Sequence, residues 1–329
     1  MKILLRLVAA LVVIGLAGAA LLATRLNSPY QGFEQPVFLV VRRGMTSAEM
    51  AGELARNGVV RAPWEFLAAR ALQRGARLQA GEYRFYKPAS PLEVLDRIRR
   101  GDIHFIELTL PEGLNIFDMA PLVEKQTGIR AADFLASARN PGPVRDLDPR
   151  AQSLEGYLFP STYRVYRHTT AQQLCSQMLA EFRARWAKAG GTDVHRIVTL
   201  ASLVEREARR REEQGKVASV FANRLRIGMK LDCDPTTVYA ALLENRYRGA
   251  IHQSDLASPS PYNTYRHVGL PPGPIANPGE GAIRAALAPE ATKYLYFVAR
   301  ADGTGGHYFS ESLGQHAAAV RQYRAAVRK

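Results

Sequence analysis

The chain has 329 residues, a formal net charge of +14 and two cysteines. That length holds two domains with a sizeable core, and two cysteines are too few for a disulfide scaffold. No Cys-x-x-Cys or His/Cys cluster offers metal-ligand spacing, so no metal, cofactor or redox chemistry is expected, while the positive surplus suits a polyanion such as nucleic acid, anionic lipid or an acidic wall polymer.

At the N-terminus Lys2 and Arg6 precede an uncharged run from Leu7 to Thr24, closed by Arg25. The run is long enough to cross a bilayer core. Its cationic start places the N-terminus in the cytoplasm and the rest of the chain outside it, which removes nucleic acid from the expected partners. A cleaved signal peptide is the rival reading, because Ala17-Gly18-Ala19 fits a small-x-small cleavage site. In an oxidising compartment Cys175 and Cys233 could pair, but nothing in their spacing says that they meet.

Residues 25–35 read as a polar linker. Val37–Val41 is β-branched and predicts a strand. Thr46 and Glu49 form a capping box that opens a helix ending near Asn57-Gly58. Pro63 marks a first helical turn. Gly81 to Tyr86 alternates like a half-buried strand, Ser90-Pro91-x-Glu93 starts a helix closed by Gly101, and Ile103 to Leu110 predicts another strand. Residues 36–110 thus form a small β-α-α-β-α-β module.

The region 111–329 predicts helices over 116–126, 131–138, 170–188 and 214–227, with another opened by Asp193 as its N-cap. The stretch 255–281 is rich in Pro, Gly, Ser, Asn and Tyr, yet Leu295 to Ala299 just after it is a strand signal. That stretch therefore predicts an ordered functional loop rather than a linker. Glu311 to Arg328 reads as a helix. The expected fold class is α+β: a cytoplasmic tip (1–6), a transmembrane helix (7–24), a linker (25–35), the small module (36–110) and a larger mixed domain (111–329).

One glutamate stands out. In Ile197 to Ala208, apolar residues recur at ~100° per residue, and Glu207 falls within roughly 60° of the centre of that apolar face, with Glu205 nearer its edge. A carboxyl against apolar groups keeps its proton to higher pH and can serve as a general acid. The bland alternative is that Glu207 reaches solvent or pairs with an arginine. Three segments nearby combine aromatic and polar residues as sugar sites do: Leu154 to Tyr163, Leu231 to Tyr239, and Ser260 to Tyr265 with Gly269 to Gly279 after it. Each alone could equally be a turn with packed tyrosines. His307 could touch substrate or be a satisfied structural histidine. Ser202 and Ser219 lack a His/Asp pattern, so a serine triad is not supported. Asp232 and Asp234 could supply a second carboxylate, although Asp-x-Asp-Pro also reads as a helix N-cap before Pro235.

At these residues the chain resembles the YceG-like family of endolytic murein transglycosylases, which are anchored in the bacterial inner membrane. The motifs are Glu155-Gly-Tyr-Leu-Phe-Pro, Ala201-Ser-Leu-Val-Glu-Arg-Glu207, Val217 to Leu225, Asp234-Pro-Thr, Tyr262-Asn-Thr-Tyr265 and Gly269 to Gly279. Together they cover about residues 150 to 320, and their number and order make the match specific. The 36–110 module is similar, more loosely, to the family's LysM-like module.

The resemblance implies that Glu207 is the catalytic acid, cutting the bond between N-acetylmuramic acid and N-acetylglucosamine in nascent peptidoglycan strands to leave 1,6-anhydro ends. Glu155, Tyr157, Thr236, Tyr262, Asn263, Tyr265 and Asn277 are the expected glycan-binding residues. It also implies a single-pass inner-membrane protein with a periplasmic body, working beside penicillin-binding proteins and other wall synthases. Arg206 stands where lysine is frequent in the family, and Cys233 where serine is frequent. Two other readings stay open: a hydrolytic glycosidase with Asp234 or Glu205 as second carboxylate, and a non-catalytic wall-binding scaffold.

Overall fold

A computed structural model describes residues 1–73, 75 and 77–327 of the chain. It is a mixed α+β protein in two compact units, 1–105 and 106–329.

The first unit opens with helix α1 (Lys2–Asn27). Its 26 residues reach about 39 Å at 1.5 Å per residue, more than a bilayer core needs. The helix is long and apolar enough to cross a membrane, and its apolar window is wholly exposed. Only its last turns touch protein: Leu26 is buried in the unit's core and Leu22 packs against it. The core is built on the antiparallel pair β1 (Val37–Val41) and β2 (Gly81–Phe85), with helices α2 (Ser47–Arg56), α3 (Pro63–Leu72) and α4 (Pro91–Arg100). Thr46 and Ser90 each form the reciprocal capping box that their sequences announce, and Gly101 ends α4 in the left-handed conformation.

The strand expected at 103–110 does not pair within this unit. As β3 (Ile106–Thr109) it pairs antiparallel with β4 (Thr162–Val165), placing Leu108 opposite Tyr163. The boundary therefore falls before Ile106, not after Leu110. Leu108 is fully buried in the second unit's core, which is the gain that draws the strand there.

The second unit continues with α5 (Ile116–Thr127), α6 (Ala131–Ala138) and α7 (Ala171–Ala189), the last opened by a Thr170 capping box. Helix α8 (Val194–Glu207) is capped by Asp193, whose carboxylate accepts from the Arg196 N–H at 3.2 Å. Then come α9 (Gln214–Arg226), α10 (Asp234–Leu243), the short α11 (Gln253–Leu256) and α12 (Glu280–Leu287). A hairpin of β5 (Tyr296–Ala299) and β6 (His307–Ser310) follows, with Ala299 opposite His307, and α13 (Leu313–Val327) ends the described chain. Arg328, the expected end of that helix, lies outside the described residues. Helix α8 runs through the centre of this unit, packed by α9, α10 and α12, and nine of its residues are buried.

Candidate active site around Glu207

The periodicity that singled out Glu207 is realised in α8. Ile197, Leu200, Ala201 and Val204 are buried, and Glu207 is the last helical residue, half-buried. It opens into a cleft of about 400 Å³. One side of the cleft is the segment from Leu231 to Asp234, with Tyr265; the other is the hairpin through Tyr296 and Phe297, with Leu313 and His316 of α13.

Burial raises the proton affinity of Glu207 above that of an ordinary carboxyl, and the negative charge of Asp234 pushes the same way. Its place at a helix C-terminus, the negative end of the helix dipole, adds to the effect. The Cys233 thiol hydrogen-bonds to the carboxyl, and the positive charges of His307 and Arg206 oppose the rise, but burial dominates. Burial raises the proton affinity of two carboxyls in this cleft, Glu207 and Asp232, and Glu207 is the more deeply buried of the two and the one carried by a helix.

Cys233 and Cys175 are both buried free thiols, and no disulfide joins them. Asp234 is not the cap of α10. Cys233 occupies that position, without a side-chain cap bond, and Asp234 sits in the first turn beside Pro235. This frees the Asp234 carboxylate to accept the Tyr265 hydroxyl at 2.6 Å in the cleft wall. Glu205 faces away from Glu207. It accepts from the Gly279 N–H at 3.0 Å, and its proton affinity is raised by burial and by Glu112.

Of the seven residues expected to bind glycan, Tyr265 lines the Glu207 cleft. The other six are buried. Asn263 donates to the carbonyls of Leu256 (3.0 Å) and Ser258 (2.8 Å), while its amide oxygen accepts from the Tyr265 N–H at 3.0 Å. It folds the loop that presents Tyr265. Thr236 donates to the Cys233 carbonyl at 2.6 Å and lies 2.9 Å from the Thr264 hydroxyl, which accepts the Cys233 N–H at 3.0 Å. That trio ties the loop to the start of α10.

Asn277 is fully buried. It accepts from the N–H groups of Gly156 and Leu158, both at 2.9 Å, and donates to the Leu114 carbonyl (3.0 Å) and to Glu155 (2.8 Å). Glu155 also accepts the Ile116 N–H at 3.0 Å and the Tyr239 hydroxyl, and burial pushes its carboxyl up to about 8. Tyr262 packs on Tyr239, ring centroids 5.2 Å apart. The Tyr157 hydroxyl donates to Asp148 at 2.5 Å. Gly156 holds a left-handed φ of 87°, and a Cβ there would come within 2.5 Å of Pro274. These motif residues thus lace three segments, 114–119, 154–158 and 274–279, into one buried polar network beside α8.

Sequence reasoning missed Tyr296, Phe297, Arg224 and His316 as cleft walls. The Tyr296 and His316 rings stack 5.1 Å apart, and buried Arg224 donates to the Leu295 carbonyl at 2.6 Å and the Leu231 carbonyl at 2.9 Å, joining both sides of the cleft. No group of three or more acidic, histidine or cysteine side chains able to hold a metal occurs among the described residues.

A helix-borne carboxyl of raised proton affinity in a polar and aromatic cleft is an arrangement suited to acid–base chemistry on a polar ligand. The model of the YceG-like family matches residues 39–322, most of the chain, and the chain belongs to that family. It is 29% identical over 331 residues to an endolytic murein transglycosylase of Bacillus subtilis (strain 168), covering 94% of this chain and 91% of the relative. An endolytic murein transglycosylase of Streptococcus pneumoniae serotype 2 (strain D39) is 30% identical, covering 84% of this chain, which spans 56% of that longer relative. The crystal structure of a yceG-like protein from Listeria monocytogenes superposes with a TM-score of 0.55 at 29% identity, over 87% of this chain and 99% of that one.

Proposed function

We propose that this chain is an endolytic lytic transglycosylase that cuts peptidoglycan glycan strands, with Glu207 as its acid and then its base. The observation that carries this reading is the carboxyl at the end of α8, its proton affinity raised chiefly by burial, facing an open cleft in a chain whose relatives are named for that activity.

In its acid form Glu207 protonates the glycosidic oxygen between N-acetylmuramic acid and N-acetylglucosamine. The C1–O bond breaks through an oxocarbenium-like state. Glu207, now a carboxylate, takes the proton of the sugar's own C6 hydroxyl, whose oxygen bonds to C1 and closes a 1,6-anhydro ring. The substrate supplies the nucleophile, so intramolecular geometry replaces a positioned water and no second catalytic carboxylate is needed. In this scheme Asp234 holds Tyr265 and keeps Glu207 protonated. Tyr265 is the aromatic face against which a sugar ring would lie. The buried motif residues hold that surface in place.

Helix α1 acts as a single-pass anchor in the inner membrane, with the body in the periplasm where strands emerge from wall synthases such as penicillin-binding proteins. The module of residues 36–105 has a LysM-like role in positioning the strand. Digesting purified wall glycan with the full chain in detergent tests the reaction: anhydro-ended fragments are expected. Fragments with reducing ends would favour a hydrolase using Asp234, and no release at all would leave a binding scaffold.

Cleavage requires protonated Glu207, so activity falls as pH rises through its ionisation. Cys233→Ser replaces a weak thiol donor with a stronger hydroxyl donor, which stabilises the carboxylate. The basic limb of the pH profile is expected to move down by a few tenths to about one unit. Cys233→Ala, which removes the donor, should move it up. A pH series of fragment release reads both shifts.

A further inference from the structure

Behind Glu207 lies a second pair of ionisable groups that the reaction scheme does not use. After α8 ends, the 3-10 turn Arg211–Glu213 brings Glu213 back beneath the hairpin. Its carboxylate accepts twice from one residue of β6: the His307 backbone N–H at 3.1 Å and the His307 Nδ1–H at 2.7 Å. Both residues are 9% exposed. Buried charge-bearing groups without a role are costly, and a pair clamped by two bonds is fixed in place.

One aromatic ring connects the pair to the cleft. The His307 ring meets the Phe297 ring edge-on, centroids 5.3 Å apart, and Phe297 lines the cleft with Glu207. In its protonated form His307 favours the carboxylate form of Glu207. With Nδ1 committed to Glu213, Nε2 is the ring atom left to face elsewhere.

We infer that Glu213 and His307 form a positioning pair that tunes Glu207, lending positive charge to the side of the carboxyl that turns negative in each turnover. The inference rests on the proposed role of Glu207 as proton donor. No proton leaves the pair: Glu207 gives its proton to the leaving oxygen and recovers one from the C6 hydroxyl, while His307 stabilises the carboxylate between those steps. Without that charge, a carboxylate so buried and so near Asp234 forms reluctantly, and protonation of the bridge slows.

The groups that face Glu207 can be named element by element. Arg206 lies on its own helix, Cys233 and Asp234 come from the start of α10, and His307 from β6, while Arg224 of α9, Asp232, Tyr265 and His316 of α13 line the same cleft. Around His307 stand Glu213, and Arg300, which donates to the His307 carbonyl at 3.1 Å.

The test is an isotope-edited infrared titration of glutamate carboxyls in the full chain, with the Glu207 band assigned by its loss in Glu207→Gln. Expected in His307→Gln is ionisation of Glu207 at a pH about one unit higher, a tenfold gain in proton affinity. Glu213→Gln removes the counter-charge that fixes the imidazole and should shift Glu207 in the same direction. Thermal melts identify a variant that fails to fold, and the other variant then decides. An unmoved Glu207 titration in a folded variant of either kind overturns the inference. The readout needs no turnover, so it stands apart from the product analysis: wild type lacking anhydro products would sink the functional reading while the infrared shift still judged the pair. Where turnover is seen, kcat should fall roughly tenfold with KM unchanged, because neither residue touches the glycan.

Discussion

Glu207→Gln is expected to fold and melt like the parent and to release fragments from wall glycan about 10³-fold more slowly. Glutamine keeps the shape and the hydrogen-bonding reach of the side chain, so the Cys233 thiol still finds an acceptor. What disappears is the transferable proton. In the proposed scheme one group donates and then accepts, so one substitution removes both halves of the catalysis. A rate within a few-fold of wild type would assign the chemistry to another group, and Asp234, in the same cleft, would be the first to examine. By contrast Glu205→Gln should leave turnover nearly unchanged, because Glu205 is spent on the Gly279 N–H and is not part of the cleft wall.

The second large effect is on stability. Asn277→Ala would strip hydrogen bonds from three buried groups at once, the Gly156 and Leu158 N–H groups and one oxygen of Glu155, while the Leu114 carbonyl keeps the residue's backbone N–H at 2.9 Å. Each buried polar group left unpaired costs about 1–3 kcal/mol, and some will find water after relaxation. A loss of about 4 kcal/mol is expected, read by denaturant unfolding. Activity should fall only as the folded fraction falls, because the side chain lies inside the protein. A well-folded Asn277→Ala protein with abolished cleavage would instead place Asn277 against the glycan.

Local signals were legible in the sequence because they act within a few residues. The capping boxes at Thr46 and Ser90, the helix from Thr170, the Asp193 cap, the glycine stop at Gly101 and the apolar face of α8 all appear where the pattern places them. Partners far along the chain were not legible. Strand β3 pairs more than 50 residues ahead, and Glu213 meets His307 across 94 residues; neither carries a local mark. The motif around Glu155, Asn263 and Asn277 shows the same limit. Polar residues near a candidate acid look alike whether they face a ligand or brace a loop, and only the fold reveals that their hydrogen bonds point inward. The placement of Glu207 was readable for the opposite reason: helical periodicity alone sets a charged residue against an apolar face.

The decisive step of the proposed reaction is attack by the sugar's own hydroxyl after protonation by Glu207. Digestion of wall glycan in water enriched in heavy oxygen, followed by mass spectrometry of the new chain ends, reads that step. Expected are 1,6-anhydro ends that are lighter by one water and carry no heavy oxygen, absent when Glu207→Gln is used. Reducing ends labelled with heavy oxygen would mean that water, not the glycan, is the nucleophile.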